Sequence, residues 1–277
     1  VYDSAFADWG TAKEPRRARD FYRLAWRSMA DNTGGDRTLI SAIIPPGAAH
    51  VNGIFSVGDP EGGLFKIVDV AGFASSLLID LSVRTVPKSG IYEGVFNRLP
   101  VVFDHPLLPE LRLRTLRLNC VARSYAELWR ACFSYLSRDD KWAVSSDLGG
   151  SPLALATQEW SASTPLRVEA DRRRALVEID SLVAIMLGVN ADELCGVYRG
   201  QFSLLFEHDR NSYRYDANGR LVPTSVIQAW KRKGDAIDED ERTATNASGY
   251  TYTYELPFRT LDREHDMRVA YAEFERR

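Results

Sequence analysis

Cysteine is scarce in this chain of 277 residues. Cys120, Cys132 and Cys195 form an odd set with no Cys-x-x-Cys spacing and no neighbouring histidine. Neither a disulfide framework nor a zinc site is therefore indicated, and all three are expected as buried thiols. Histidine is equally thin. His50, His105, His208 and His265 show no His-Glu-x-x-His or other ligand spacing, so each is read as structural. Long apolar runs are missing too: Ser41 to Val51 and Val70 to Ile79 fall well short of the roughly 20 residues that a membrane span needs. No membrane segment is expected. The opening Val1-Tyr2-Asp3-Ser4 carries no initiator Met and no basic-then-apolar leader, which suggests a trimmed piece of a longer cytoplasmic protein.

The motifs of common chemistries are absent as well. The stretches Val57 to Gly63 and Val70 to Gly72 have neither the glycine spacing of a phosphate loop nor that of a dinucleotide fingerprint. No Gly-x-Ser-x-Gly elbow occurs. Asp139-Asp140-Lys141 is a fragment that a metal-dependent nuclease could use, but it lacks a convincing upstream acidic partner and reads as a solvated loop. An adenine-modifying loop of the Asn-Pro-Pro-Tyr kind is missing, since Ile44-Pro45-Pro46-Gly47 has no amide or carboxylate before its prolines.

What is present is a globular composition. Apolar residues make up 45% of the chain, enough for one large core or two smaller ones. The net charge of -3 argues against a uniformly basic nucleic-acid binder, so charge has to be read locally. From Glu14 to Ala30 the residues Ala18, Phe21, Tyr22, Ala25, Trp26 and Met29 fall at helical spacing, with Arg16, Arg19, Arg23 and Arg27 in a line on the other side. That line could face phosphate or simply water, the latter favoured by Asp20 within reach of Arg16 and Arg23. Thr38 to Pro45, His50 to Val57, Leu64 to Ala71 and Leu99 to Phe103 read as strands, with a short helix between Phe73 and Val83.

Helices dominate thereafter. They are expected over Pro109 to Asn119, Ser124 to Leu136 and Val168 to Leu187, the last burying Leu176, Ile179, Leu182, Val183 and Met186. Residues 137–165 show no period. Asn190 with Glu193 resembles a capping box that opens a further helix to Gln201. Asp216-Ala217-Asn218-Gly219 is a turn signal. The run Asp235 to Glu241 holds five carboxylates in seven residues and, with Thr243 to Gly249, reads as an exposed linker before a charged helix from Asp262 to Arg277. The fold class expected is mixed α+β, divided into a helical lead-in (1–40), a β-rich part (41–105), a helical part (106–205) and a C-terminal segment (206–277).

In their order, several segments resemble the C-terminal region of large adenine-specific DNA methyltransferases of the Eco57I-like and PglX-like kind, found in restriction-modification and phage defence. The segments are Arg23-Leu-Ala-Trp-Arg27, Arg37-Thr-Leu-Ile-Ser-Ala-Ile-Ile-Pro-Pro-Gly47, Leu99-Pro-Val101 with His105-Pro-Leu-Leu108, Ala175 to Gly188, Asp192-Glu-Leu194 and Gln201-Phe202. The resemblance covers most of residues 15–220, and Asp216 to Gly219 is familiar from the same proteins. It implies a double-stranded DNA target-recognition domain packed with a helical hairpin, in the bacterial cytoplasm at the nucleoid. Methyl transfer from S-adenosyl-L-methionine is implied for the parent enzyme, in a methyltransferase domain of the same polypeptide or in a separate subunit. No cofactor, metal or catalytic residue is assigned to this chain.

Within that reading, sequence-specific contacts need cationic and amide groups on loops, with separate phosphate contacts fixing register. The candidates are Arg84, Lys88, Tyr92, Asn97 and Arg98, then Arg112, Arg114 and Arg117, together with the line of Arg16, Arg19, Arg23 and Arg27. For any one of them a surface or intramolecular ion-pair role competes. Two other classes stand against DNA recognition: a protein-interaction scaffold in a defence complex, and a self-sufficient nuclease. Because the methyl-donor motifs are absent from these residues, the purified chain is expected neither to bind S-adenosyl-L-methionine nor to methylate DNA. Micromolar binding of the methyl donor by calorimetry would contradict this.

Overall fold

The computed structural model describes residues 14, 16–29, 35–61, 63–85, 90–133, 140–154, 157–246 and 249–277. The fold is mixed α+β, as the order of expected strands and helices indicates. A 3-10 turn at Ala18–Asp20 leads into a three-stranded antiparallel sheet of β1 (Arg23–Arg27), β2 (Ser41–Ile44) and β3 (Ile54–Gly58), with β1 in the centre. Helices α1 (Leu64–Ala74), α2 (Leu77–Arg84), α3 (Glu93–Phe96), α4 (Leu108–Asn119) and α5 (Ala126–Cys132) follow. Then come α6 (Glu169–Met186), α7 (Ala191–Gln201), α8 (Ser203–Glu207) with a π-helical turn at His208–Ser212, and α9 (Thr224–Lys233). A hairpin of β4 (Thr243–Thr245) and β5 (Thr251–Thr253) precedes α10 (Arg263–Arg276). No helix among the described residues is long and apolar enough to cross a membrane.

Four expectations change. The helix expected over Glu14 to Ala30 is instead a turn and a strand. Phe21, Tyr22, Ala25 and Trp26 keep a helical spacing while Tyr22, Leu24 and Trp26 alternate, and pairing on both sides, Leu24 with Ile43 and with Val57, decides for the strand. Leu64 to Ala71, expected as a strand, is helix α1. Its β-branched residues cost a few tenths of a kcal/mol each in a helix, while Ile67, Val68, Ala71 and Ala74 all reach the core. Gly72 allows α1 to lie close on α4, for a Cβ there would stand 2.7 Å from Thr115 Oγ1 and 2.8 Å from Leu111 Cγ. Leu99 to Phe103 forms no strand; Leu99, Val101 and Val102 pack against the core as coil. Thr243 to Gly249 is not a linker in its described part, because β4 pairs with β5 through the hydroxyl pairs Thr243–Thr253 and Thr245–Thr251, each at 2.8 Å.

Other expectations stand. α6 and α4 lie where periodicity puts them, and α5 is a shorter version of the helix expected from Ser124. Asn190 and Glu193 complete a reciprocal capping box, with Glu193 N donating to Asn190 Oδ1 at 2.9 Å and Asn190 N to Glu193 Oε2 at 3.0 Å. At the Asp216 turn, the buried Oδ1 accepts from Asn218 N at 3.0 Å and Arg220 N at 2.8 Å, and Gly219 closes the turn at φ +78°.

The main core draws Leu24 and Ile43 from the sheet, Leu111 and Trp129 from α4 and α5, Ile179 from α6, and Ala270 and Phe274 from α10. Segments far apart in the chain therefore share one interior. Helix α6 is enclosed by α4, α7, α2 and α10, so its polar residues Asp171, Glu178, Asp180 and Ser181 are buried along with its apolar ones. A separate small cluster of Val226, Ile227, Ile237, Tyr254 and Phe258 joins α9 to the hairpin. Ile179 is fully buried, so Ile179→Ala should cost about 2 to 5 kcal/mol in chemical denaturation. A change within experimental error would contradict this packing.

Candidate nucleic-acid interface

Depth sorts the basic candidates. Arg114 and Glu178 are both fully buried, and Arg114 Nε donates to Glu178 Oε2 at 2.6 Å. The other carboxylate oxygen of Glu178 accepts from Ala143 N at 2.8 Å and Val144 N at 2.9 Å. Arg117 is buried and donates to the carbonyls of Leu153 at 2.7 Å, Thr164 at 2.9 Å and Pro152, bracing the loop before α6. Burial lowers its pKa to about 10, opposed only by the charge of Asp171. Arg112 forms a fork with Asp69 at 2.6 and 2.8 Å and lies over the Phe65 ring. Arg114 and Arg117, being buried, cannot reach a base edge, and the half-buried Arg112 is committed to Asp69, which corrects the expectation for all three.

The line of four arginines does not form either, because the segment is not a helix. Arg23 is buried and donates to Ser56 Oγ at 3.3 Å and to the Ala48 carbonyl. Arg19 and Arg27 are half-buried, and Arg16 is exposed with Nη1 bonded to Pro60 O at 2.8 Å. Arg84 is likewise committed inward. It pairs with Asp80 at 3.3 Å, donates to Gln201 O at 2.8 Å and to Gly35 O at 3.1 Å, and stacks 4.2 Å from the Phe202 ring centroid. Lys88 lies outside the described residues.

Tyr92, Asn97 and Arg98 remain, placed at the two ends of α3. Helix α3 is clamped to the sheet by Phe96, whose ring stacks on Trp26 at 3.9 Å and 9°, and by Trp26 Nε1, which donates to Ile91 O at 2.8 Å. Tyr92 meets Phe55 of β3 edge-on at 5.7 Å. On this aromatic pedestal Tyr92, Asn97 and Arg98 are all exposed. A guanidinium and an amide held on a rigid turn are the donor set that base edges and phosphates accept from.

A groove of about 810 Å³ lies elsewhere, between the start of α4 and the end of α10. Asp140 stands in it and corrects the solvated-loop expectation, since its carboxylate is mostly buried and pairs with Arg277 at 3.0 Å and Arg114 at 3.3 Å. Asp139 lies outside the described residues. Burial pushes the Asp140 carboxyl up to about 6; Arg114 opposes the rise, while a hydrogen bond and the charge of Glu110 reinforce it. Burial would raise Glu110 as well, but Arg114, with hydrogen bonds from Asp140 and Arg277, holds it below its usual value. The pair can share a proton. Among the described residues no group of His, Cys, Asp or Glu side chains could hold a metal ion.

A third grouping escaped the sequence reading. The coil at Val144 to Leu148 folds onto the first turns of α6 and α10 and brings Ser145 and Ser146 to Arg173, Arg174, Arg259 and His265. Its only trace in the sequence is the run Arg172-Arg173-Arg174. Compared with known proteins, the chain matches no family model, no curated protein and no solved structure.

Asp140 supplies a pH prediction. Between its ordinary 3.8 and about 6 the folded state holds a proton that the unfolded chain has released, so stability falls as pH rises through that window. Above about 4.5, where Glu110 no longer contributes in the opposite sense, Asp140→Asn should flatten that fall. Denaturant midpoints measured from pH 4.5 to 7 check it, and an unchanged slope in the variant would contradict the assignment.

Proposed function

We propose that this chain is a sequence-specific double-stranded DNA recognition module of a bacterial restriction-modification or phage-defence system. Methyl transfer from S-adenosyl-L-methionine is then the work of a methyltransferase domain or subunit beyond these residues. The observation that carries the reading is the α3 pedestal: Tyr92, Asn97 and Arg98 face outward while Phe96 and Trp26 fix their backbone beneath. A backbone already fixed beneath the donors lowers the ordering cost left to meet at binding. The resemblance of the chain's ordered segments to the recognition region of adenine-specific methyltransferases supports the same reading.

One observation favours a protein-interaction scaffold as the second reading. Met29, Ile40 and Val51 are strongly exposed apolar side chains, and backbone bonds of Arg27 N to Ile40 O and Ser28 N to Gly53 O bring their segments to one end of the sheet. A partner's apolar surface could cover them.

Duplexes enriched from a random library separate the two. Loss of a base reader should relax preference by about 1 to 3 kcal/mol, whereas loss of a phosphate contact weakens all duplexes alike and lowers the salt slope by roughly one. Arg98→Gln and Asn97→Ala are expected to show one or other effect, with thermal stability unchanged. Asp238→Asn, in the acidic run, should leave affinity unchanged or slightly tighter. If no duplex is enriched, and affinity for every duplex ignores salt and all three substitutions, the DNA reading fails and the scaffold reading leads.

A further inference from the structure

The pocket between the Val144 to Leu148 coil and the first turns of α6 and α10 has a volume of about 310 Å³, at the lower end of the range that small ligands occupy. Its charge is uneven. Arg173, Arg174 and Arg259 line it against two carboxylates, Asp147 and Asp266, and both carboxylates are already engaged. Asp266 accepts from Arg173 Nη1 at 2.6 Å, and Asp147, itself exposed, meets Arg259 at 3.4 Å.

The donors left over are unusual. Arg173 is only 6% exposed, yet its Nε and Nη2 have no hydrogen-bond partner among the described residues. Buried guanidinium donors are almost always satisfied, since each unmet one costs a desolvation penalty. Arg174 lies over the Trp142 ring at 4.7 Å, with no carboxylate at ion-pair distance among the described residues. Burial lowers its pKa despite the nearby charges of Asp171, Glu178 and Asp266. Ser146 Oγ already accepts from Leu148 N at 3.1 Å, so its proton is free to donate, and His265 stands exposed at the rim.

From this geometry we infer that the pocket is a binding site for a phosphoryl oxyanion, gripped by Arg174 and Arg259 over the buried positive charge of Arg173, with Ser145, Ser146 and His265 at its mouth. Arginine forks and hydroxyls together suit a phosphoryl oxyanion, which accepts from several donors at once, better than a neutral ligand. The source of the phosphoryl group is either a free nucleotide or a phosphate of a DNA backbone. The site does not rest on the DNA reading and lies on other elements than α3.

Inorganic phosphate titrated into the full chain, with ionic strength held constant by chloride, tests the inference through arginine Nε–Hε resonances and calorimetry. Saturable shifts are expected, with Arg174→Gln and Arg259→Gln each weakening phosphate binding at least tenfold, about 1.4 kcal/mol or more. Both side chains reach the surface, and unchanged thermal midpoints confirm that the variants fold. Arg98→Gln should leave phosphate binding intact, so this site and the α3 surface can fail separately. A 5′-mononucleotide that binds at least tenfold tighter than phosphate identifies the nucleotide source, and displacement of phosphate by a short duplex identifies the backbone source. Shifts that chloride reproduces, or an affinity that the double variant Arg174→Gln/Arg259→Gln leaves unchanged, would overturn the inference.

Discussion

The rest of the structure hangs on the buried pair of Arg114 and Glu178. Two charges taken from water at no exposure are tolerable only if every donor and acceptor around them is met. Here α4 supplies the cation, α6 the anion, and the backbone of Ala143 and Val144 the remaining donors. The pair therefore fixes the register of the two central helices and the entry of the coil that closes the Ser145–Ser146 pocket. Asp140 and Glu110 extend it to Arg277, so the end of α10 is tied to the same centre.

Arginine is the common device of this fold. Arg23, Arg84, Arg112, Arg114, Arg117 and Arg263 each brace one segment against another, through carbonyls, carboxylates or aromatic rings, and Arg263 holds Asp209 at 2.6 Å. A planar fork with five donors can satisfy several backbone carbonyls at once, which lysine cannot do. That is how a chain with 35 lysines and arginines holds several of its guanidinium groups inside the fold.

Elements specified by local chemistry were legible in the sequence. The Asn190 capping box, the Asp216 turn, the stripe of α6 and the Asp262 start of α10 each need only neighbours within a few residues. What is settled by distant partners was not. The stretch from Phe21 to Trp26 carries both a helical and an alternating pattern until β2 and β3 pair with it, and Thr243 to Thr245 looked like a linker because its partner strand begins six residues further on. At the candidate site the same limit applies. Tyr92, Asn97 and Arg98 are exposed at the two ends of α3, whereas the burial of Arg23, Arg114 and Arg117 depends on elements from elsewhere in the chain. Charge identity is written in the sequence; depth is not.

The central claim is that duplex DNA meets the α3 pedestal and the adjoining strand. Hydrogen–deuterium exchange of the full chain with and without an enriched duplex tests it most directly, because backbone amides report contact without any substitution. Slowed exchange concentrated in residues 91–98 and 54–58, and fading as salt rises, is the result predicted. Exchange unaltered by saturating duplex, or slowed only around α9 and the β4–β5 hairpin, would contradict it.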